Sequence, residues 1–523
     1  MTITMAKLAR AVTRAYACPL AIPMALAALL AAPSARADWK FTPTLELRET
    51  YTDNVALRPD NDKQGQFVTE VTPGFMLRHK GPRLDINGNF QLQYFALQDK
   101  DVSGTNRTAR SGQGNLRAKL IDDLFYVDAG GSISNQGVSP FGPQVFDASN
   151  YVATNRAQVT AWRVSPYLVH RFGSIANAEL RYSHDEVDAG RVGLGNTKGD
   201  TVQMTVNSGA AFRTLGWSVQ LSEQQISDKL AADTGIQSAN ATLRYRVAPT
   251  LNLTASVGYD KNDYQSLGGA TGGRAWNTGF VWTPSLRTSV QATLGRRYYG
   301  PSRTLAAMHR SRYSVWSINY DDSVTSTRAN FLLPATIDTA GMLDRLFTPS
   351  FADPLERARA VEQYIRSAGL PSALADNVNF FSNRYSLQKQ LRASVAYKQG
   401  RTSAVYALYR VRREALSVRE TDSPLLGINN FNDDVTQAGF NASLSYRITP
   451  RTVLNLVSDI GRSESITTGQ RARNSAVRLS LRHQLRSKLA GALELRRVQG
   501  NTGFTSGQPY TENAVSASLS MQL

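Results

Sequence analysis

The feature that most constrains this chain is an alternation of apolar and polar side chains with a period of two, repeated in segment after segment from Phe41 to the C-terminus. In residues 251–259 the odd positions are Leu, Leu, Ala, Val and Tyr, and the even positions are Asn, Thr, Ser and Gly. Successive side chains of a β-strand point to opposite faces, so this period predicts strands with one apolar and one polar face. The closing residues, 515–523, follow the same pattern.

The length of these segments separates two all-β architectures. They run to about 9 to 15 residues, whereas strands of a soluble β-sandwich or solenoid usually have about five or six. A tilted strand that crosses a membrane needs about 9 to 11 residues. The sequence therefore predicts a transmembrane antiparallel up-and-down β-barrel, with a soluble β-sandwich as the alternative. In such a barrel the final strand must close against the first.

The connections between the segments support a barrel. Very short links alternate with long stretches rich in Gly, Asn, Asp and Ser, as periplasmic turns alternate with external loops in outer-membrane barrels. Twenty-one segments and a poorer one at 327–334 predict about 20 to 22 strands, within a range of 16 to 22. Tyr245, Trp282 and Tyr446 stand just before turn prolines and are expected to form an aromatic girdle, although aromatics also fill soluble cores. The short links are at 79–83, 121–124, 171–174, 213–217, 247–250, 282–285, 398–401, 448–451 and 484–488.

The N-terminus has the order of an export signal. Three basic residues precede an apolar run, and Ala35 and Ala37 form a small-x-small cleavage site after it. This order predicts a cleaved signal peptide over residues 1–37, and three prolines in the run disfavour the alternative of a membrane helix. The only cysteine, Cys18, lies inside this segment. We expect residues 38–523 to form a disulfide-free barrel in the outer membrane of a Gram-negative cell.

One segment has helical rather than strand periodicity. Asp353 is a candidate N-cap, Pro354 suits the first helical position, and Glu356 completes a capping box. Apolar residues recur at helical spacing through residues 353–369. A short amphipathic helix is therefore predicted within a long loop insertion, 335–380. Three roles are open to it: a lid on the outer rim, a plug in the lumen, or a loop helix without a gating role.

The formal net charge of +18 predicts an anionic partner. Export from the cytoplasm makes nucleic acid the least expected one. Arginines recur on the polar faces of the predicted strands, which would face the lumen, and rings of Arg favour anions. Their other expected role is to pair with luminal carboxylates and brace the wall. The candidates are Arg287, Arg392, Arg410, Arg412, Arg478, Arg482 and Arg496.

Two functions from different classes are consistent with these features. The first is a porin-like conduit for anionic solutes or an acidic polymer. The second is a non-conducting barrel that anchors surface polymer or sorted proteins through its loops. The expected partners are outer-membrane lipid and lipopolysaccharide, the barrel assembly machinery, and an anionic polysaccharide or proteins of an export system.

The first hundred residues resemble a known barrel family. The segments 45–59 and 68–90 are similar to outer-membrane proteins associated with PEP-CTERM and exosortase systems, which are encoded beside exopolysaccharide genes. This resemblance implies a porin-like or export-linked barrel and assigns no catalytic residues. The matching residues are Tyr51, Thr52, Asp53, Asn54, Val55 and Leu57, followed by Thr72, Pro73 and Gly74.

Signals for chemistry are poor in this sequence. No histidine pair has the spacing of metal ligands, and no Gly-x-Ser-x-Gly elbow is present. Residues 60–70 resemble a calcium loop, but Gln64 occupies a ligand position. We therefore predict no catalytic residue, no metal and no cofactor, with an outer-membrane hydrolase as a minor alternative.

Overall fold

The structure is a computed structural model that describes residues 38–99, 102–144, 150–190, 196–228, 233–332, 336–337, 374–375, 384–417, 434–501 and 507–523. The expected signal peptide, including Ala35 and Ala37, lies outside these ranges, and so does the expected helix at 353–369. Within the ranges, no helix has both the length and the apolar character that crossing a membrane requires.

Twenty-two long strands form one sheet. Each pairs antiparallel with its neighbours along the chain, and the strand at 314–325 pairs with the strand at 386–399 across the long insertion. The strands are β1 (Asp38–Thr52), β2 (Gln66–Lys80), β3 (Leu84–Leu97), β4 (Thr108–Ile121), β5 (Phe125–Gly137), β6 (Arg156–Phe172), β7 (Ala176–Asp188), β8 (Thr197–Ser208), β9 (Leu215–Asp228), β10 (Thr234–Ala248), β11 (Leu251–Asn262), β12 (Gly272–Ser285), β13 (Thr288–Arg297), β14 (Gly300–Arg310), β15 (Ser314–Thr325), β18 (Ser386–Gln399), β19 (Thr402–Ala415), β20 (Val435–Thr449), β21 (Thr452–Ser465), β22 (Arg471–Arg486), β23 (Leu489–Asn501) and β24 (Pro509–Gln522).

The sheet closes into a barrel. Residues 44–52 of β1 pair with residues 514–522 of β24, and the Leu523 N–H donates to the Pro43 carbonyl at 3.0 Å. The closing segment of the chain is therefore a barrel strand, and the seam leaves no open sheet edge toward lipid. The expected all-β antiparallel barrel is confirmed.

The described residues contain few other elements. They are a 3₁₀ turn (Asp60–Asp62), a short helix α1 (Thr327–Leu332), and a pair of two-residue strands, β16 (Thr336–Ile337) and β17 (Leu374–Ala375). The expectation of a strand at 327–334 is wrong, because the chain turns into α1 there. The barrel has twenty-two strands without a strand at 327–334. Residues 288–325 hold three barrel strands, and the tight turn at 311–313 that separates the last two was not among the expected short links.

The two ends of the barrel differ in their connections. At one end every link has two to six residues, and both termini of the described barrel lie there. At the other end lie the long connections, including the insertion after β15. Short turns face the periplasm in outer-membrane barrels. We therefore name these two ends the periplasmic end and the outer end.

The alternation in the sequence is the alternation of barrel faces. On β11, Leu253 and Val257 point outward with 46% and 65% of their surface exposed, while Ser256 points inward and is buried. Tyr245, Trp282 and Tyr446 point outward close to the periplasmic turns. The apolar side chains of most strands thus cover the outside, as lipid contact requires, and the polar side chains line the lumen.

Candidate functional site

The lumen is the candidate functional site, and the chain itself crosses it near the outer end. We call residues 138–155, which connect β5 and β6, the crossing loop; the structure describes 138–144 and 150–155 of it. Phe141 is fully buried against Val435 of β20 and Ala472 of β22. Because these strands are distant from β5 in the sheet, the loop extends across the barrel mouth.

Polar contacts fix the crossing loop to the wall that it reaches. The Tyr510 hydroxyl accepts a hydrogen bond from the Gln144 backbone N–H at 3.3 Å and donates one to Asn474 Oδ1 at 2.6 Å. Tyr510 is fully buried. A buried hydroxyl with both partners in place orients the loop specifically, since either partner left unpaired would be costly.

The other anchor of the crossing loop is an ion pair on the barrel seam. Arg496 of β23 and Glu512 of β24 lie 2.8 Å apart, each with 1% of its side chain exposed. The Glu512 carboxylate also accepts the Thr52 hydroxyl at 2.8 Å and the Tyr151 hydroxyl at 3.2 Å. The Arg496 guanidinium lies 3.7 Å from Glu494. This arrangement joins β1, β23, β24 and the crossing loop through one buried carboxylate.

An apolar cluster surrounds that ion pair. It contains residues of the first external loop, of the crossing loop and of the inner faces of the strands at the seam. Within a mostly polar lumen, this cluster acts as a small core that holds the loops inside the mouth. Its buried members are Val55, Ala56, Leu57, Val68, Phe95, Val102, Ala109, Tyr151, Val152, Ala476, Val498 and Tyr510.

A second segment enters the lumen after β15. Arg328 of α1 contacts Asp185 on the inner face of β7, and both side chains are buried. Phe331 packs on the inner faces of β6 and β7, among Val159, Ala161 and Val187. A cavity of about 600 Å³ lies between this segment and β3 to β6. The chain therefore enters the barrel at 327–332, just before the predicted insertion, 335–380.

The structure places four of the seven candidate arginines on the lumen. Arg392, Arg478, Arg482 and Arg496 occupy inward positions on β18, β22 and β23. Arg482 Nη2 donates to Ser520 Oγ at 3.4 Å. Arg496 has the bracing role, since its charge is compensated by Glu512.

Three of the candidates lie elsewhere. Arg410 and Arg412 point outward from β19, because the pairing of β19 puts Val405, Ala407 and Val411 on the inner face, where each is 1% exposed. Both faces of this strand carry apolar residues, so alternation alone did not indicate which one meets lipid. Arg287 is in the two-residue turn between β12 and β13 and is exposed.

Further arginines line the lumen near its periplasmic end, and the sequence analysis missed them. Arg244 and Arg246 on β10, Arg310 on β14 and Arg447 on β20 occupy inward positions. In the part of the chain that the structure describes, no carboxylate lies within 4.0 Å of any of these four guanidinium groups. Arg246 and Arg447 stand in the recurring Tyr-Arg-Val-Ala and Tyr-Arg-Ile-Thr sequences, which could have revealed them.

The opposite wall has paired charges. Asp128 on β5 accepts from Arg117 Nε at 2.9 Å and from Arg181 Nη1 at 3.2 Å. Arg181 also contacts Glu179 at 2.8 Å and lies over the Tyr167 ring at 3.8 Å. The lumen is thus asymmetric: charges on β4 to β7 are compensated, whereas the four arginines on β10, β14 and β20 have no carboxylate within 4.0 Å among the described residues.

The residues that carry the family resemblance have structural roles at the seam. Thr52 donates to Glu512, and Asp53 accepts from the Asn513 backbone N–H at 2.7 Å and from its side-chain amide at 2.8 Å. Asn54 Nδ2 donates to the carbonyls of Arg58 at 2.7 Å and Thr511 at 3.0 Å. The Tyr51 ring contacts Phe67 on the outside, and Val55 and Leu57 are in the apolar cluster at the mouth.

The second group of these residues shapes β2. The Thr72 hydroxyl donates to Glu70 at 2.8 Å, and Pro73 pairs with Leu45 of β1. Proline has no N–H for the ladder, and the β2–β3 pairing is interrupted at 72–73. A Cβ on Gly74 would approach the Phe90 carbonyl oxygen to 2.6 Å. Both groups therefore build the barrel, and none of their described contacts forms a catalytic arrangement.

A closed 22-stranded antiparallel barrel with an apolar outside and a polar inside is the fold of an outer-membrane β-barrel protein. Solved structures with a similar fold include the siderophore receptor PirA from Acinetobacter baumannii, at 10% identity and a TM-score of 0.47 over 94% of this chain and 81% of that one. The FrpB iron transporter from Neisseria meningitidis is similar at 10% identity and a TM-score of 0.47, over 92% of this chain and 81% of that one.

The ferric enterobactin receptor PfeA from Pseudomonas aeruginosa is similar at 11% identity and a TM-score of 0.45, over 92% of this chain and 81% of that one. These likenesses concern the barrel fold, and the identities are too low to transfer a ligand to this chain. No family model and no curated protein matches the sequence.

Proposed function

We propose that this protein is an outer-membrane conduit that favours anions and is narrowed by its own luminal segments. The observation that carries the proposal is a set of four arginines at the periplasmic end of the lumen that have no carboxylate within 4.0 Å among the described residues: Arg244, Arg246, Arg310 and Arg447. In a narrow aqueous passage such a set raises the local concentration of anions and repels cations.

Because two segments of the chain enter the lumen, the proposed conduit is either only partly open or opens in response to a signal. The crossing loop extends over the mouth, and α1 reaches the inner wall of β6 and β7. The contacts that hold them are a few ion pairs and hydrogen bonds with small apolar clusters. Segments of this kind open more easily than the continuous ladder of the wall.

Planar-bilayer recording tests this proposal. Under a KCl gradient we expect a zero-current potential of the sign for Cl⁻ preference. Replacing the four arginines with glutamine should move that potential toward zero. The matched control is Arg274→Gln with Arg296→Gln, two outward-facing arginines on β12 and β13, which should leave it unchanged. Cation preference, or a quadruple variant with wild-type selectivity, would contradict the conduit proposal.

Deleting residues 342–369 tests whether the insertion is a plug. If it blocks the passage, the deletion should raise the conductance several-fold with selectivity unchanged. An unchanged conductance would reject that role and leave the arginine argument intact.

A non-conducting anchor is the second candidate, and the buried crossing loop favours it. Phe141, Tyr151 and Tyr510 are each 1% exposed or less, so this closure of the mouth is packed like a protein core. A closed trace in wild-type protein and in the deletion variant would support the anchor.

The cargo that we propose is an acidic polymer of the exopolysaccharide class. Two arguments support this: the resemblance carried by residues 51–57 and 72–74, and the uncompensated positive charge of the lumen. Loss of the gene should then reduce secreted acidic polysaccharide, and the quadruple arginine variant should restore less of it than the wild type. Undiminished secretion of acidic polysaccharide without the gene would exclude this polymer as the cargo.

A further inference from the structure

A dense group of basic side chains lies on the outside of the barrel near its outer end. We call it the basic rim, and it occupies the outward positions of β18, β19 and β21 to β23. Six of its seven members are exposed, and Lys389 is half-buried. The members are Lys389, Arg410, Arg412, Arg462, Arg471, Arg473 and Arg497.

Carboxylates compensate only part of this charge. Glu414 contacts Arg412 at 2.6 Å and Lys389 at 3.3 Å. Glu464 contacts Arg462 at 2.9 Å and Arg471 at 3.0 Å. Within the described ranges, Arg410, Arg473 and Arg497 have no carboxylate within 4.0 Å.

The strand register places two of these arginines face to face. Arg462 of β21 is directly opposite Arg473 of β22. Like charges in this position destabilise a strand pair. An anion bound between the two would reverse that effect, since a guanidinium binds phosphate oxygens in bidentate geometry.

The basic rim starts where the apolar outside ends. Two positions closer to the periplasmic end than Arg410, Arg462 and Arg497, the outward residues are Leu408 on β19, Ile460 on β21 and Leu495 on β23. Their side chains are 57%, 52% and 54% exposed, respectively. Two residues along a strand span about 6.6 Å. The rim therefore lies at the boundary between the hydrocarbon layer and the headgroups of the outer leaflet.

An apolar groove lies on the outside below Arg497, toward the periplasmic end; its nearest lining residue on β23 is Leu493, which is about 13 Å from Arg497 along the strand. It measures about 540 Å³ and is lined by the outward leucines of β22 to β24, beside Gly491 and Ala517, where the small residues leave room. Its far side reaches Glu49, which accepts a hydrogen bond from Thr69 at 2.7 Å. A groove of this shape under a basic site suits an acyl chain.

Other sectors at the same level carry a different charge. On β7 to β9 the outward residues of the outer half include His184, Glu186, Lys198, Asp200 and Glu223. His184 Nδ1 and Asp200 Oδ1 are 2.8 Å apart. Acidic and basic groups are mixed there, whereas the outward charges of β18 to β23 are mostly basic.

We infer that the basic rim binds the phosphorylated headgroup of an outer-leaflet glycolipid of the lipid A type, with an acyl chain in the groove below Arg497. The phosphates bridge Arg462 and Arg473 and contact Arg410 and Arg497. This site is on the outer surface and does not depend on the proposed luminal conduit, because none of its residues faces the lumen.

The test uses the purified full-length mature protein in detergent and lipid binding measured by native mass spectrometry. The probe is diphosphorylated lipid A, and its phosphate-free counterpart with the same acyl chains is the comparison. The variant carries Arg462→Gln, Arg473→Gln and Arg497→Gln. The matched control carries Arg274→Gln, Arg296→Gln and Arg303→Gln, three outward arginines of β12 to β14.

We expect the rim variant to bind diphosphorylated lipid A about tenfold more weakly than the wild type, an order of magnitude typical of losing a few exposed charge contacts. The control variant should bind it normally, and the phosphate-free lipid should bind weakly to all three proteins. Heat-modifiable gel migration verifies that each variant is folded.

Three results would overturn the inference. The first is equal binding of the two lipids, which would remove the role of phosphate. The second is equal weakening by the rim and control variants, which would indicate a general effect of net charge. The third is displacement of the lipid by millimolar inorganic phosphate, which would identify a site for a small free anion. A rim variant that does not fold would be replaced by Arg473→Gln alone, for which about threefold weaker binding is expected.

Discussion

Removal of the Glu512 carboxylate should destabilise the barrel more than loss of any exposed ion pair. Glu512 is fully buried and accepts from Arg496 Nη2 at 2.8 Å, Arg496 Nε at 3.2 Å, Thr52 at 2.8 Å and Tyr151 at 3.2 Å. In Glu512→Ala the buried Arg496 loses its nearest carboxylate; Glu494 lies farther away, at 3.7 Å, and the Tyr151 hydroxyl, at 2.7 Å from Arg496 Nη2, carries no charge to replace it. Breaking a buried pair from one side costs about 3 to 5 kcal/mol.

The same structure predicts how the cost can be reduced. The double variant Arg496→Met with Glu512→Leu removes both charges and fills the space, so it should lose less stability than Glu512→Ala alone. The exposed control is Glu464→Ala, whose carboxylate contacts Arg462 and Arg471 at the rim. Pairs of that kind contribute about 0 to 1 kcal/mol.

The assay is equilibrium unfolding in guanidinium chloride, with refolding into lipid vesicles, followed by tryptophan fluorescence. The midpoint should fall for Glu512→Ala with a slope close to that of the wild type. The reasoning is refuted if Glu512→Ala costs less than about 1 kcal/mol, because the buried pair would then behave like an exposed one. A double variant that is less stable than Glu512→Ala would refute the charge argument specifically.

Three further predictions concern separate contacts. Gly74→Val should lower the unfolding midpoint by an amount equivalent to about 1 to 3 kcal/mol, because its Cβ would meet the Phe90 carbonyl oxygen at 2.6 Å. The control is Gly400→Asn, in an open turn with φ +57°, and an equal effect of both substitutions would contradict the steric argument. Phe141→Ser should loosen the crossing loop and raise single-channel conductance or the frequency of opening, whereas an unchanged trace would show that the loop does not limit the passage. Asp185→Asn should leave Arg328 buried without its carboxylate and release α1 from β7. Limited proteolysis between β15 and β18 should then become faster, and an unchanged rate would show that apolar packing of Phe331 is enough to hold α1 in place.

Most of the barrel could be read from the sequence because lipid and water impose opposite demands on the two faces of each strand. The alternation at 251–259 and 515–523 indicated β11 and β24 with the correct faces. The short links fixed the hairpins at the periplasmic end, because two-residue turns such as 249–250 leave little freedom of register.

The tertiary structure alone decided which face of an ambiguous strand turns inward. On β19 both faces carry apolar residues, and the pairing with β18 and β20 placed Arg410 and Arg412 outside. A strand shifted by one residue would exchange its faces, so the neighbouring ladders settle what alternation leaves open. The same holds for residues 327–332, where contacts with β6 and β7 accompany a helix in place of a strand.

The contents of the lumen were also beyond the sequence. The alternation predicts the strands of the barrel, but it gives no information about loops that fold back into the lumen. Phe141 meets β20 and β22, and Tyr151 meets Glu512, across sequence separations of several hundred residues. The sequence by itself determined a two-faced sheet long enough to close in a membrane. Only the packed structure decided how its mouth is filled, because that depends on contacts between distant segments with no periodic signal.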